Sequence, residues 1–301
     1  MTALASAQPR RTTQETLGSP KVRSYFRIVL TQFRRNRIAM LGACVLLLII
    51  AIVAIGPEFI SQDQYAMNLR DRLLSPSLDH PLGTDLLGRD TLERIIIGGR
   101  TSLLITTGAV ALAVVVGTFI GIVSGYYAGI VDAIAMRCID ILMTLPGFLL
   151  AIGIVAALGV GTANVVLAVG IAAVPAFARI SRGSTLSVRE QEYVEAARAS
   201  GASTPRILLR HILPNIVPPL IVQTTLELAA AMLTASGLSF LGLGPQPPAP
   251  EWGSMLSEGR DFITNAPQLV IFPGLTILIV AVCFNLVGDG LRDAVDPHLR
   301  N

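Results

Sequence analysis

The feature that most constrains this chain is an uncharged run of 38 residues, from Ile141 to Ala178. As a single helix the run would be about 57 Å long, at 1.5 Å per residue. The hydrocarbon core of a bilayer is only about 30 Å thick, so one crossing would use little more than half of it. The run therefore predicts two membrane spans, which turn near the glycine-containing segment at residues 159–164.

Four further apolar stretches predict an all-α membrane protein with six transmembrane helices. Only 14% of the 301 residues are charged and 52% are hydrophobic, whereas a soluble domain has about 25% charged residues. The charges at residues 132–140 predict a short turn between the second and third spans. The other four spans are predicted at about residues 38–56, 101–125, 216–236 and 269–288.

These spans divide the chain into four regions. Residues 1–37 are predicted to form a cytoplasmic tail, disordered over residues 1–20, and then a helix in the membrane interface. Alternatively, residues 21–37 are simply a run of basic residues that marks the edge of the first span; the two interpretations explain the segment equally well. The remaining regions are the first span with an extracytoplasmic loop (38–100), the transmembrane core (101–290) with a cytoplasmic loop (179–215), and a cytoplasmic C-terminal tail (291–301).

The positions of the basic residues predict the direction in which the spans cross. Most of the 23 lysines and arginines lie in the two termini, the 132–140 turn and the 179–215 loop. Segments rich in lysine and arginine remain in the cytoplasm. Both termini are therefore predicted to be cytoplasmic, and the loops at residues 57–100 and 237–268 face the other side.

The sequence contains no pattern typical of a catalytic, metal-binding or nucleotide-binding site. Cys44, Cys138 and Cys283 have no paired spacing, so neither a disulfide framework nor a metal site is expected. The single lysine, Lys21, does not follow a glycine-rich turn, which excludes a Walker A loop. We expect no catalytic residue, no metal, no cofactor and no nucleic-acid partner; if ATP drives this protein, another chain binds it.

The longest polar segment between two apolar ones predicts a pair of helices outside the membrane. Ser187 and Glu190 match a capping box, which starts a helix. Gly201 is suited to end that helix, because glycine adopts the left-handed conformation without strain. Thr204 then caps a second helix, which is expected to end at Pro214.

The same segment resembles the EAA signature of the permeases of binding-protein-dependent ABC importers. Its glutamate, alanines and glycine and the following Leu213-Pro214 match that signature, whereas His211 occupies its usual isoleucine position. The resemblance implies a coupling helix that sits in a groove of an ATPase subunit; an ordinary pair of surface helices is the alternative. The candidate ATPase-coupling residues are Glu195, Ala196, Ala197, Gly201, Ala202 and Arg206.

Two outer segments are similar to the dipeptide, oligopeptide and nickel permeases of this family, and the first specifically to their C-type subunit. The first segment, HPLGTDLLGRD at residues 80–90, is expected to have a structural role. The second segment, at residues 242–256, is expected either to dock a soluble binding protein or to anchor the chain at the membrane interface. Its candidate residues are Pro248, Glu251 and Trp252.

The resemblance covers nearly all of residues 22–300 and implies a permease subunit in the bacterial cytoplasmic (inner) membrane. The implied activity is ATP-driven import of dipeptides or oligopeptides, with glutathione-like peptides or chelated nickel as alternative substrates. The implied partners are a homologous B-type permease in a heterodimer, two ABC ATPase subunits that hold ATP and Mg, and an extracytoplasmic substrate-binding protein. The lipid membrane surrounds the assembly.

One acidic residue lies well inside a predicted span. Glu227 is near the middle of the fifth span, and Gln223 is about one turn before it. A charge at this depth costs about 2.5–3.5 kcal/mol, so the two residues are expected to face the translocation pathway or a partner subunit. An ion-coupled secondary transporter would need further intramembrane charges. It is therefore the less favoured alternative, together with a purely structural membrane anchor.

Overall fold

The computed structural model describes residues 22–60 and 67–295, and predictions for residues 1–20 and 296–301 lie outside this range. Within it the regular elements are helices, apart from one isolated β-bridge between Thr84 and Asp90. The all-α prediction is therefore confirmed. The helices are α1 (Val22–Arg35), α2 (Arg37–Ile55), α3 (Thr91–Tyr127), α4 (Gly129–Leu142), α5 (Gly147–Leu158), α6 (Thr162–Arg189), α7 (Glu192–Ala199), α8 (Thr204–Ile207), α9 (Leu213–Phe240), α10 (Trp252–Gly259) and α11 (Gln268–Val295).

Five helical stretches of the described residues are long and apolar enough to cross a membrane. They are α2, α3, α6, α11 and the continuous stretch Thr204–Phe240 that contains α8 and α9. A sixth crossing is formed if α4 and α5, which are bent by 86° relative to each other, count as one span. Five of the six predicted spans are therefore present as long helices, and the bent pair of α4 and α5 stands where the third was predicted.

The prediction of a turn at residues 132–140 is wrong, because these residues belong to α4. The Asp132 carboxylate accepts two hydrogen bonds of 2.5 Å from Arg182, and Asp140 accepts one of 2.8 Å from Arg179. α6 therefore supplies a counter-charge for each acid of α4. The break comes instead before Pro146, because a residue that precedes proline disfavours the helical conformation.

The predicted helix boundaries around the polar loop are also partly wrong. α6 continues to Arg189, so Ser187 lies inside a helix and does not cap one. The next helix begins after Gln191. Pro214 does not end a helix either, because residues 208–212 form a π-helical turn that leads directly into α9. Proline has no backbone N–H to donate to the carbonyl of the preceding turn, and we attribute the continuity to the wider π turn, which accommodates this missing hydrogen bond.

α3 and α6 form the centre of the fold and approach each other closely at small residues. Gly117, Gly121 and Gly125 recur at every fourth position of α3. A Cβ atom at Gly121 would lie 2.4 Å from the Ala178 carbonyl oxygen and 2.5 Å from the Ser181 Cβ atom. Small residues allow membrane helices to pack backbone against backbone. Both helices contribute to one large hydrophobic cluster, which also includes residues of α5 and α9.

α11 organises the other half of the fold. A Cβ atom at Gly42 of α2 would lie 2.9 Å from the Leu286 Cβ atom, and one at Gly288 would lie equally close to α9. α1 also packs on α11, because Phe33 lies 3.1 Å from the Cβ position of Gly290. The predicted helix of residues 21–37 is thus present, and its described part lies against the end of α11.

Candidate functional site

α7 and α8 form a short helical hairpin between the long helices α6 and α9. Two buried side chains hold it on the bundle: Val194 is 0% exposed and Ile207 is 1% exposed. Both belong to the cluster that contains α3 and α6. The predicted helix–turn–helix is therefore confirmed, although Ser203, and not Thr204, precedes the first residue of α8.

The residues that match the EAA signature lie mostly on the accessible side of this hairpin. Gly201 has a φ of +79°, and a Cβ atom there would meet no other atom within 4 Å. Its constraint is therefore the backbone conformation alone. The alanines leave a low surface between charged side chains. The exposed candidates are Glu195, Ala196, Gly201 and Arg206, whereas Ala197 and Ala202 are half-buried.

The base of the hairpin is joined to the end of α3. Arg189 donates hydrogen bonds to the carbonyl oxygens of Gly125 at 3.2 Å and Tyr126 at 2.9 Å, which belong to the last turn of α3. The Arg198 guanidinium lies 5.8 Å from the centre of the Tyr126 ring, within the range of a cation–π contact. Glu195 lines a cavity of about 430 Å³ between these groups. The hairpin therefore contacts a helix that crosses the membrane.

His211, which departs from the signature, lies in the π-helical turn. The centre of its ring is 6.3 Å from that of Tyr193 on α7, with an angle of 42° between the rings. Burial raises the pKa of the Tyr193 hydroxyl, which keeps the phenol neutral. The histidine therefore provides an additional contact between the hairpin and the start of α9.

Gln223 and Glu227 meet inside the fifth membrane-crossing stretch. The Gln223 side-chain amide donates a hydrogen bond of 3.3 Å to the Glu227 carboxylate. With 3.6 residues per turn, Glu227 lies on the same face of α9 as Leu220 and Ala231, which are buried against the cluster of α3, α5 and α6. Both polar side chains are part-buried. The structure thus directs them towards the helices of this chain.

A buried group of charged residues connects the loop between α2 and α3 to α10. Asp85 is 6% exposed and accepts hydrogen bonds from Arg94 and, at 2.6 Å, from Arg89. Arg94 also donates to Glu258 of α10 at 2.9 Å. Burial raises the pKa of the Glu258 carboxyl, with a further rise from Asp85 that Arg94 opposes. The cluster fastens two segments that are distant in sequence.

The 80–90 segment supports the structural role that we predicted for it. Asp90 caps α3 by accepting hydrogen bonds from the backbone N–H groups of Leu92 and Glu93. Its other carboxylate oxygen lies 2.9 Å from the Nδ1 atom of His80. Gly83 has a positive φ of 76°, which permits a tight turn between these residues. The segment is thus a folded lead-in to α3.

The prediction that Glu251 and Trp252 form an accessible docking surface or an interfacial anchor is wrong for these two residues. Trp252 is 0% exposed, and its indole N–H donates to the Ile95 carbonyl oxygen at 2.8 Å. Glu251 is 1% exposed, caps α10 and accepts a hydrogen bond of 2.9 Å from Ser102. Both residues bind α10 to α3. Pro248, in contrast, is exposed.

Sequence reasoning allowed local charge pairs among Asp85, Arg89 and Asp90, and the Asp85–Arg89 pair is present. It missed the pairs between α4 and α6 and those of Arg94, which join positions that have no common periodicity. A usable signal was present nonetheless, because two acids and two arginines at the edges of uncharged runs are conspicuous in a chain with 14% charged residues.

The apolar helices and the exposed hairpin define a helical membrane protein, and comparison with known proteins identifies its family. Residues 117–301 match the family described as binding-protein-dependent transport system inner membrane component. Residues 24–76 match the N-terminal TM domain of oligopeptide transport permease C. The chain belongs to this family of ABC transporter permeases, which are not themselves enzymes, and it is an inner-membrane protein.

Individual relatives extend the similarity over nearly the whole chain. A dipeptide transport system permease protein, DppC, from Alkalihalophilus pseudofirmus is 43% identical over 92% of this chain and 91% of its own length. A glutathione transport system permease protein, GsiD, from Pectobacterium atrosepticum is 44% identical over 96% of both. Among solved structures, an inward-facing MetNI methionine ABC transporter shares the fold, with a TM-score of 0.55 and 18% identity over 67% of this chain and 96% of that one.

Proposed function

We propose that this permease subunit serves an ATP-driven importer of dipeptides or oligopeptides. The observation that carries the proposal is the 43% identity to a dipeptide permease over 92% of the chain. Together with a homologous B-type permease, the chain forms the translocation pathway, to which Gln223 and Glu227 contribute polar groups.

The hairpin of α7 and α8 is the surface that receives the ATPase. Its accessible alanines, flanked by Glu195 and Arg206, suit a groove in another protein. Two ATPase subunits hold ATP and Mg, and this chain holds no cofactor. An extracytoplasmic binding protein delivers the substrate at the opposite end, where the exposed Pro248 remains the candidate contact.

In this arrangement the translocation pathway opens alternately to the two sides of the membrane. When the ATPases close on ATP, they move the hairpin, and Arg189 and Arg198 transmit the movement to the end of α3. α3 packs closely against α6 along its glycines, so the two helices move as a pair. The pathway then opens to the outside, and hydrolysis of ATP resets it.

Glutathione-like peptides are the second candidate substrates. The observation that favours them is the 44% identity to a permease named for glutathione transport over 96% of the chain. Competition separates the two candidates: uptake of a labelled dipeptide by the complete transporter is measured in the presence of unlabelled glutathione. Strong inhibition by glutathione, and weak inhibition by a second dipeptide, would contradict the dipeptide assignment.

Replacement of Gly201 by valine tests the role of the hairpin. A β-branched residue cannot adopt a φ of +79° without strain, so the turn between α7 and α8 should be displaced. The expected result is loss of ATP-dependent uptake and of ATPase co-purification, while the amount of protein in the membrane fraction stays normal.

Gly242→Val is the matched control. Gly242 has a φ of +80°, also has no atom within 4 Å of its Cβ position, and follows α9 at the other end of the bundle. The control should retain the bound ATPase. Normal uptake by the Gly201 variant, or an equal loss of ATPase from both variants, would count against the coupling role. Uptake that continues without ATP would favour an ion-coupled transporter instead.

A further inference from the structure

A groove with apolar walls opens on the surface between α1, α2, α9 and α11. Its volume is about 450 Å³, which lies within the range of about 300–1,000 Å³ that is typical of small-molecule sites. All of its lining side chains are apolar. They include Leu30 and Phe33 of α1, Leu47 of α2, Ile221 of α9 and Leu291 of α11. The groove therefore suits a hydrocarbon chain.

Close packing elsewhere leaves this groove open. Gly42 and Gly290 bring α2 and α1 against one side of α11, and Gly288 brings α9 against another side. The two sets of helices consequently diverge in front of Leu291. Leu30 and Leu47 remain 57% and 65% exposed on the walls of the gap. The groove thus follows from where the glycines are, and it opens towards the surroundings of the bundle.

Three exposed arginines lie where α1 meets α2. Arg34 and Arg35 directly follow the groove residue Phe33, and Arg37 begins α2. Arg34 is also four residues after Leu30, so both project from the same side of α1. Among the described residues none forms an ion pair with any of the three arginines. This end of the groove therefore carries an excess of positive charge.

The nearby acids offset only part of this charge. Asp289 lies two residues from Leu291, and at 100° per residue it projects from the opposite side of α11. Asp293 does reach the junction of α1 and α2, because it accepts a long hydrogen bond of 3.5 Å from Asn36, so one carboxylate stands against three arginines. The groove thus combines an apolar interior with a cationic end.

We propose that the groove binds one anionic phospholipid. An acyl chain occupies the apolar space, and the phosphate accepts hydrogen bonds from Arg34, which lies on the groove side of α1, while Arg35 and Arg37 add positive charge at the same junction. Basic pockets beside transmembrane helices recognise anionic lipid headgroups, and arginine forms strong charge-assisted bonds with phosphate. The negative headgroup selects this occupant over a neutral lipid or an apolar protein segment. The site is independent of the transported substrate.

The test measures lipid retained by the full chain, purified with its bound subunits and placed in nanodiscs. Native mass spectrometry compares nanodiscs of phosphatidylcholine with nanodiscs that also contain phosphatidylglycerol. We expect selective retention of phosphatidylglycerol by the unchanged protein. In the Arg34→Gln/Arg35→Gln/Arg37→Gln variant, the affinity for phosphatidylglycerol should fall by a factor of about ten or more. The Ala43→Phe variant, which fills the groove without changing the charge, should lose the lipid as well.

The matched control removes three exposed arginines from the outer loops, in the variant Arg70→Gln/Arg72→Gln/Arg260→Gln. This control should retain phosphatidylglycerol. Equal retention of phosphatidylcholine, equal loss in the control, or full retention after Ala43→Phe would each overturn the proposal. A photoreactive group at Leu47 distinguishes the occupants: cross-linking to lipid supports the proposal, whereas cross-linking to a protein segment overturns it. If the triple variant is not inserted, Ala43→Phe and the cross-link still decide.

Discussion

At the scale of single residues, buried charge determines how the outer part of the molecule is held together. Asp85 accepts hydrogen bonds from two arginines and from the backbone N–H groups of Leu87 and Arg89. Arg89 and Arg94 are 8% and 4% exposed. Two buried guanidinium groups therefore depend on Asp85 and on the less buried Glu258 for their compensation.

We predict that Asp85→Asn destabilises the protein by about 3–5 kcal/mol, because it leaves buried arginine charge uncompensated. Thermal unfolding of the purified protein, together with limited proteolysis of the outer loop, measures the effect. Asp261→Asn is the control, because Asp261 pairs with Arg260 at 3.1 Å on the exposed surface. That variant should change stability by less than about 1 kcal/mol. Equal stability of the two variants would contradict a supporting role for the cluster.

A second prediction at this scale concerns Glu227. Glu227 is part-buried and hydrogen-bonded to Gln223, and a polar pair inside a span suits the translocation pathway better than contact with lipid. We expect Glu227→Gln to leave the transporter assembled and to lower the affinity for peptides with a free amino terminus about ten-fold, the equivalent of one lost charged hydrogen bond. Uptake of the same peptide with an acetylated amino terminus is the control.

An intact complex with unchanged uptake of both peptides would contradict this role of Glu227. Weaker association with the second permease subunit would instead assign the residue to the interface between subunits. Both outcomes are read from the same preparation, by co-purification and by uptake.

At the scale of the helices, the sequence predicted the apolar segments but not their ends. Uncharged length predicted six crossings, because the thickness of the bilayer sets the length of every span; the structure has five long apolar helices and one bent pair. The turn at residues 132–140 was predicted wrongly because charge was taken as a sign of exposure. Asp132 and Asp140 are compensated by arginines that follow 50 and 39 residues later. Such pairing depends on the tertiary structure and has no local signal.

The same distinction applies to the candidate site. Gly201 was placed correctly from local chemistry, since a positive φ is a property of one residue. Trp252 was placed wrongly at a surface, because tryptophan is common at membrane interfaces and protein contacts. The tertiary fold instead encloses Trp252 between α10 and α3, where its N–H group has a partner. Local rules thus predicted the turn at Gly201, whereas the burial of Trp252 depends on the packing of segments that are distant in sequence.

We predict that Gly121→Ala separates α3 from α6 and destabilises the protein by about 1–3 kcal/mol, because the new Cβ atom would overlap the backbone of α6. Gly183→Ala on α6 is the matched control, because its Cβ position has no atom within 4 Å. That variant should be neutral or stabilising by up to about 1 kcal/mol, since alanine favours a helix. Thermal unfolding of both variants measures the difference. Equal stability would show that the glycines are not needed for the contact.

At the scale of the whole molecule, the orientation in the membrane connects the parts into a transporter. The α7–α8 hairpin and the buried cluster around Asp85 lie at opposite ends of α3, which is 37 residues or about 55 Å long. An ATPase at one end and a binding protein at the other are possible only if the hairpin is cytoplasmic. The excess of arginine around the hairpin favours that orientation.

We therefore predict that a cysteine at Ser77 is accessible from outside the cell and that a cysteine at Ser200 is not. Both serines are exposed, the first in the outer loop and the second at the end of α7, so burial in this chain would not mask them. The background replaces Cys44, Cys138 and Cys283 with alanine. An impermeant thiol reagent is added to cells whose outer barrier, where present, has been made permeable. Ser77→Cys should react at once, and Ser200→Cys only after the inner membrane is disrupted; the reverse pattern would overturn the orientation and, with it, the assignment of the hairpin to an ATPase.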